Sequence, residues 1–178
     1  GHVDAPILKL ISLALGGSMS SRLFINLRER NGLAYYVRTG AESYTDTGYL
    51  TTQAGVPVDK LEDAIKIIIN EYSRLTSELI SDEELSKLKG LIHGKLPLSL
   101  EGSDDTAQWY ASQAVTLKQQ NSDKALKTPE EFLTAIDKVT AEDIQRLAKE
   151  IFKTETLNLA IIGPYENIDN LKPLLEIK

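Results

Sequence analysis

Between residues 57 and 75, apolar side chains recur every three or four positions: Leu61, Ala64, Ile65, Ile68, Ile69, Tyr72 and Leu75. That spacing draws one face of an α-helix, and Pro57 suits its opening. The same period predicts a helix over 4–15, with Pro6 in the first turn and Ile7, Leu8, Leu10, Ile11, Ala14 and Leu15 on a broad apolar face. Ser81 with Glu84 reads as a capping box ahead of Leu85, Leu88, Leu91 and Ile92, in a helix that Gly94 and Pro97 weaken toward its end. A helix over about 104–120 follows, with Ser103 as its cap, and then a polar linker over 121–128. Thr128 with Glu131 opens a helix to about Val139, and Thr140 with Asp143 opens another through Ile144, Leu147, Ala148 and Ile151.

Elsewhere the period is two. Runs over 33–43 and 48–55 alternate in the manner of strands, and Asp46-Thr47-Gly48 between them supplies turn chemistry for an antiparallel hairpin. In the second run Tyr49, Thr51 and Gln53 face one way and Leu50, Thr52 and Ala54 the other. The apolar run 157–162, ended by Gly163-Pro164, reads as a buried strand returning to the hairpin's sheet. The resulting fold class is α+β, with helices packed on one face of a mostly antiparallel sheet, and residues 1–178 form a single domain.

One stretch joins the two periods, from Leu15 to Val37. Gly16-Gly17 makes a hinge, and Ser20 and Ser21 are N-cap candidates for a short helix carrying Leu23, Phe24 and Leu27. Asn31-Gly32 stops that helix, since both tolerate the left-handed conformation. Arg28 in its last turn and Tyr35 early in the strand are thereby brought near one another.

Composition narrows the chemistry. A net charge of −6 argues against nucleic acid as a partner, and no apolar run approaches the roughly 20 residues that cross a bilayer, so no membrane is expected either. No signal peptide is visible over 1–15. Without cysteine there is no disulfide, thiolate metal site or cysteine nucleophile, and the cytoplasm is the favoured compartment. Of the two histidines, His2 belongs with Gly1 to what reads as a cloning remnant, and His93 sits in a helix as a surface or satisfied residue. Trp109-Tyr110 reads as helix-packing material. Gly16-Gly17 lacks the spacing and the lysine of a phosphate loop. No complete active site is present on this chain: no catalytic residue and no metal ligand set.

Several segments together carry a resemblance. They are Leu15-Gly-Gly-Ser-Met-Ser-Ser-Arg-Leu-Phe24, Leu27-Arg-Glu-Arg-Asn-Gly-Leu-Ala-Tyr35, Thr47-Gly48, Ile80-Ser-Asp-Glu-Glu-Leu85, and Val139-Thr-Ala-Glu-Asp-Ile144 running to Ala160-Ile-Ile-Gly-Pro164. In this order they resemble the pitrilysin, insulinase and mitochondrial processing peptidase superfamily of zinc metallopeptidases, and within it the second, non-zinc-binding domain. The resemblance implies a parent endopeptidase that cuts peptides or small unfolded proteins in a chamber between two homologous domains. Its zinc would be held by an inverted His-x-x-Glu-His motif, which this chain lacks. The metal therefore belongs to an N-terminal peptidase domain, on the same chain or a partner subunit.

The resemblance also assigns roles. Arg28 and Tyr35 stand where an arginine and a tyrosine hold substrate near its scissile carbonyl, and strand alternation favours Tyr35 over Tyr36. On the residues alone, the favoured reading is that Arg28 is a helix C-terminal cation and Tyr35 a half-buried sheet aromatic. Gly16, Gly17 and Ser18 occupy the place of a substrate-handling glycine loop, or serve as a plain hinge. The second strand could offer an edge to an extended peptide. Family domains usually open on a strand, so a chain opening on a helix is expected to be a truncated piece. It is also expected to have an unpaired sheet edge and to self-associate into homo-oligomers through it. The alternative to the peptidase reading is a non-catalytic scaffold or regulatory subunit.

Overall fold

Helix α1 (Ala5–Gly16) runs through the middle of the core, where Leu10, Ile11 and Leu15 are entirely buried. Its apolar residues surround it on nearly all sides, as expected of a helix covered by neighbours on several faces. In the computed structural model, which describes residues 3–44 and 46–177 and Ser43 by its backbone alone, α1 packs on α3 (Asp82–Leu98), α5 (Pro129–Asp137) and α6 (Ala141–Ile151). Gly1 and His2 lie outside the described residues. Asp4, at the head of α1, pairs with Arg146 of α6.

The sheet is a two-stranded antiparallel hairpin of β1 (Tyr36–Ser43) and β2 (Gly48–Gly55). Tyr36 pairs with Gly55, Thr39 with Thr52 and Glu42 with Tyr49. One face looks outward through Tyr36, Arg38, Glu42, Tyr49 and Gln53, which are exposed. The other turns Val37, Thr39, Leu50 and Thr52 onto α1 and α2 (Leu61–Ser77). There Tyr72 Oη donates to Thr52 Oγ1 at 2.6 Å, and Thr52 and Thr39 share a hydroxyl bond of 2.8 Å. The Tyr72 ring stacks on Phe152 at 4.4 Å, which ties α2 to the end of α6. Helices on one face of an antiparallel sheet is the architecture expected from the sequence.

The capping boxes at Thr128/Glu131 and Thr140/Asp143 form in full. At α3 only half of one forms: Ser81 Oγ accepts from Glu84 N, while the Glu84 carboxylate is engaged by Arg22. α3 absorbs Gly94 and Pro97 and runs on to Leu98. α4 (Ser103–Gln119) follows Gly102 without a side-chain cap, so Ser103 does not serve as one. That helix lies on the surface with Leu117 as its buried residue. Trp109 anchors it, edge-on to Phe132 at 5.7 Å and donating to Lys127 O.

The expected late strand does not form. Residues 157–162 do alternate, with Leu157, Leu159 and Ile161 against the core and Asn158, Ala160 and Ile162 outward. No strand lies beside them among the described residues, and residues 158–162 make no backbone hydrogen bond there. A strand's pattern without a neighbour is extended chain, because the ladder is what makes it a strand. No helix among the described residues is long and apolar enough to cross a membrane.

Candidate functional site

The short helix after the glycine pair is a π-helix over Phe24–Arg30, a geometry the apolar spacing does not distinguish from α. Leu23 and Leu27, four apart, are both fully buried and pin it to the core. Ser20 and Ser21 do not cap it; Ser21 Oγ instead donates to Ser18 O at 2.6 Å. Arg22, just ahead, makes a two-pronged bond to Glu84 of α3, at 2.8 Å from Nε and 2.9 Å from Nη2. Gly32 ends the segment with φ at 61°, as expected for the stop, and its N–H donates to Arg28 O while Leu33 N donates to Leu27 O at 2.7 Å. Leu33 and Ala34 are buried, and Tyr35 N donates to Gly55 O at 2.9 Å. The turn between the helix and β1 is thus held at both ends.

Arg28 lies just before that turn and Tyr35 just after it. Arg28 is exposed, with its guanidinium carbon 5.0 Å from the centroid of the Phe24 ring. No carboxylate among the described residues pairs with it. The Tyr35 ring is 77% exposed, and its hydroxyl has no hydrogen-bond partner among the described residues. Tyr36 is engaged differently: its ring lies across Gly55, where a Cβ would stand 2.5 Å from Cε1. Of the two tyrosines, Tyr35 is the one whose ring is unengaged. The pair therefore offers a fork of guanidinium N–H donors and one phenolic O–H to whatever approaches the turn.

The glycine pair has packing duties. A Cβ on Gly16 would stand 2.5 Å from Thr39 N, and one on Gly17 2.7 Å from Leu13 Cα. Ser18 shares a 3.0 Å hydroxyl bond with Ser20, and Met19 beside them is 78% exposed. His93 bonds Asp137 at 2.8 Å and has no serine partner among the described residues. Open cavities of about 370 Å³ (beside Glu62, Tyr165 and Asn170) and about 520 Å³ (beside Asp82, Lys89 and Asp137) are lined by neither Arg28 nor Tyr35. Among the described residues no group of three or more His, Cys, Asp or Glu is placed to hold a metal ion.

Sequence reasoning missed Glu71, which accepts from Asn26 of the π-helix and is 2% exposed. A signal was available: Glu71 falls seven after Ala64, three after Ile68 and four before Leu75, on the apolar face of its helix.

Residues 1–91 match the family model described as the peptidase M16 inactive domain. The chain belongs to that family. This M16 inactive domain is 33% identical over 168 residues to the zinc protease YmxG of Bacillus subtilis, a match covering 94% of the chain and 39% of that protein. It is 28% identical over 149 residues to YmfF of the same organism, named a probable inactive metalloprotease, covering 83% of the chain and 33% of YmfF. Among solved structures, a protease from Helicobacter pylori superposes with a TM-score of 0.73 at 26% identity, over 85% of the chain and 35% of that one. The domain thus spans between a third and two fifths of these relatives.

Proposed function

We propose that this M16 inactive domain positions substrate for a zinc-dependent endopeptidase acting on peptides or small unfolded proteins. The metal would be held by an N-terminal peptidase domain, on the same chain or a partner subunit. The observation that carries the reading is the pair Arg28 and Tyr35, two exposed donors on either side of a turn fixed at both ends, neither side chain with an acceptor among the described residues. When water adds to a peptide carbonyl, its oxygen gains negative charge. An Arg28 N–H and the Tyr35 O–H are suited to donate to that oxygen, and donors held in place before the reaction need no reorganisation. Exposure supports the role, because a donor already paired with a carboxylate would have to break that pair first. The unpaired edge of β2 would suit the extended backbone of the same substrate.

Tyr35→Phe in the assembled parent removes a single hydroxyl and leaves the ring. We expect kcat to fall by about 10²–10³, the usual loss for one such donor, with the fold unchanged by circular dichroism. Wild-type kcat in that variant would make Tyr35 a sheet aromatic and no more.

A second reading, a non-catalytic scaffold or regulatory subunit, is favoured by the likeness to YmfF, itself named a probable inactive metalloprotease. The parent gene and its neighbour decide between them. The peptidase reading requires His-x-x-Glu-His in one of the two, and its absence from both leaves the scaffold.

A further inference from the structure

Beneath the turn that carries Arg28 lies a carboxylate that the substrate-positioning reading does not use. Glu71, on α2, is 2% exposed. Its Oε1 accepts from Asn26 Nδ2 at 2.8 Å, and both its oxygens accept from Arg74 Nη1, at 3.2 and 3.3 Å. Arg22 spends Nε and Nη2 on Glu84, and its buried Nη1, without a hydrogen-bond partner among the described residues, stands 3.9 Å from Glu71 Oε2. Stability is a poor explanation for this cluster. Buried ion pairs are often matched or bettered by apolar residues of the same volume.

Geometry explains it better. Asn26 is a pivot: its Nδ2 reaches Glu71, its Oδ1 accepts from Arg30 Nη1 at 3.2 Å, and its backbone O accepts from Asn31 Nδ2 at 2.7 Å. One buried carboxylate thus fixes the middle of the π-helix, and through it the two residues that close the segment. Arg22 is tied to Glu84 and Arg30 to Asn26; Arg28 is the arginine of this stretch with no hydrogen bond among the described residues. π-helical turns are rare and concentrate at functional sites. A relaxation to α geometry would change the register by one residue, about 100° of rotation about the axis. That would turn the Arg28 side chain to a different face of the segment.

We infer that Glu71 is a positioning residue that holds the π-helical register of Phe24–Arg30 and so aims Arg28. The inference rests on the substrate-positioning reading, in which Arg28 touches the substrate.

The test is a double-mutant cycle in the full parent assembly, with kcat and KM measured for wild type, Glu71→Gln, Arg28→Ala and the double variant. Glu71→Gln keeps the volume and removes the charge that gathers Asn26, Arg22 and Arg74. We expect kcat about tenfold lower with KM within twofold, since displacements of about 1 Å at a reacting centre cost up to about 10². In the Arg28→Ala background the same substitution should have no further effect on kcat, because the residue it aims is gone. Asn26→Ala, which cuts the link without touching the buried charge, should behave in the same way and replaces Glu71→Gln if that variant fails to fold. Equal losses from Glu71→Gln with and without Arg28 would overturn the inference while leaving the proposed function standing. Wild-type turnover in Arg28→Ala would overturn both.

Discussion

Gly16 is the last residue of α1, and two effects of replacing it by alanine oppose each other. Helix propensity favours alanine over glycine by about 0.8–1.0 kcal/mol in a helix interior, and by less at an end. Packing acts the other way. The new Cβ would stand 2.5 Å from Thr39 N, 2.5 Å from Thr39 Oγ1 and 3.0 Å from Thr39 Cβ. Two of those atoms are backbone or β-carbon and have no rotamer to escape into, so α1 and β1 must move apart. Overpacking of this kind costs about 1–3 kcal/mol. Thr39 is 5% exposed, and its hydroxyl bonds Thr52, which in turn accepts from Tyr72. Disturbing that chain costs about 1 kcal/mol more. Packing wins, and the net loss is about 1–4 kcal/mol, or a fall in Tm of roughly 2–16 °C for a domain of this size. Urea and thermal denaturation followed by circular dichroism measure it directly. Gly90 is the internal control: it lies inside α3, exposed, and a Cβ there meets nothing within 4 Å. Gly90→Ala should therefore raise stability by about 0.8–1.0 kcal/mol. A Gly16→Ala protein as stable as wild type would refute the packing argument and return the glycine pair to the role of a free hinge.

Burial raises the Tyr72 phenol above its ordinary value of 10.0. The unfolded chain therefore gives up this proton first as pH rises, and stability is full below about pH 10 and lost above it; Tyr72→Phe should flatten that alkaline limb in urea titrations while costing about 1 kcal/mol at neutral pH through the lost bond to Thr52. The backbone at 158–162, which makes no backbone hydrogen bond among the described residues, should pair with a second copy at high concentration, in a two-fold register that keeps Leu157, Leu159 and Ile161 of both copies on one face. Sedimentation velocity should show a monomer–dimer equilibrium that Ile162→Lys weakens, and a clean monomer throughout would contradict it.

The local chemistry of this fold was legible where sequence and structure use the same few residues. Thr128 with Glu131, and Thr140 with Asp143, announce their helices and form the bonds they announce. Ser81 with Glu84 fails by half because Glu84 has a distant partner, Arg22, 62 positions away, which no local pattern reveals. Residues 157–162 carry a strand's alternation and remain unpaired because a strand is a relation between two segments. The π-helix was hidden because Leu23 and Leu27 bury equally well in α or π geometry. At the site, the positions of Arg28 and Tyr35 came from family resemblance, since periodicity alone made them an ordinary helix-end cation and a sheet aromatic. What the structure adds is that neither side chain has a hydrogen bond or ion pair among the described residues, with Arg28 lying against the Phe24 ring, and that a buried glutamate holds Asn26 of the same segment.

If Arg28 donates to the substrate oxygen, and is not merely a favourable charge at a helix end, its removal must slow turnover. The most direct measurement is kcat for peptide hydrolysis by the zinc-loaded parent assembly carrying Arg28→Ala, at saturating substrate. A loss of about 10²–10³ with unchanged thermal stability is the predicted result. A turnover equal to that of the wild type, with or without a small drop in Tm, would contradict it.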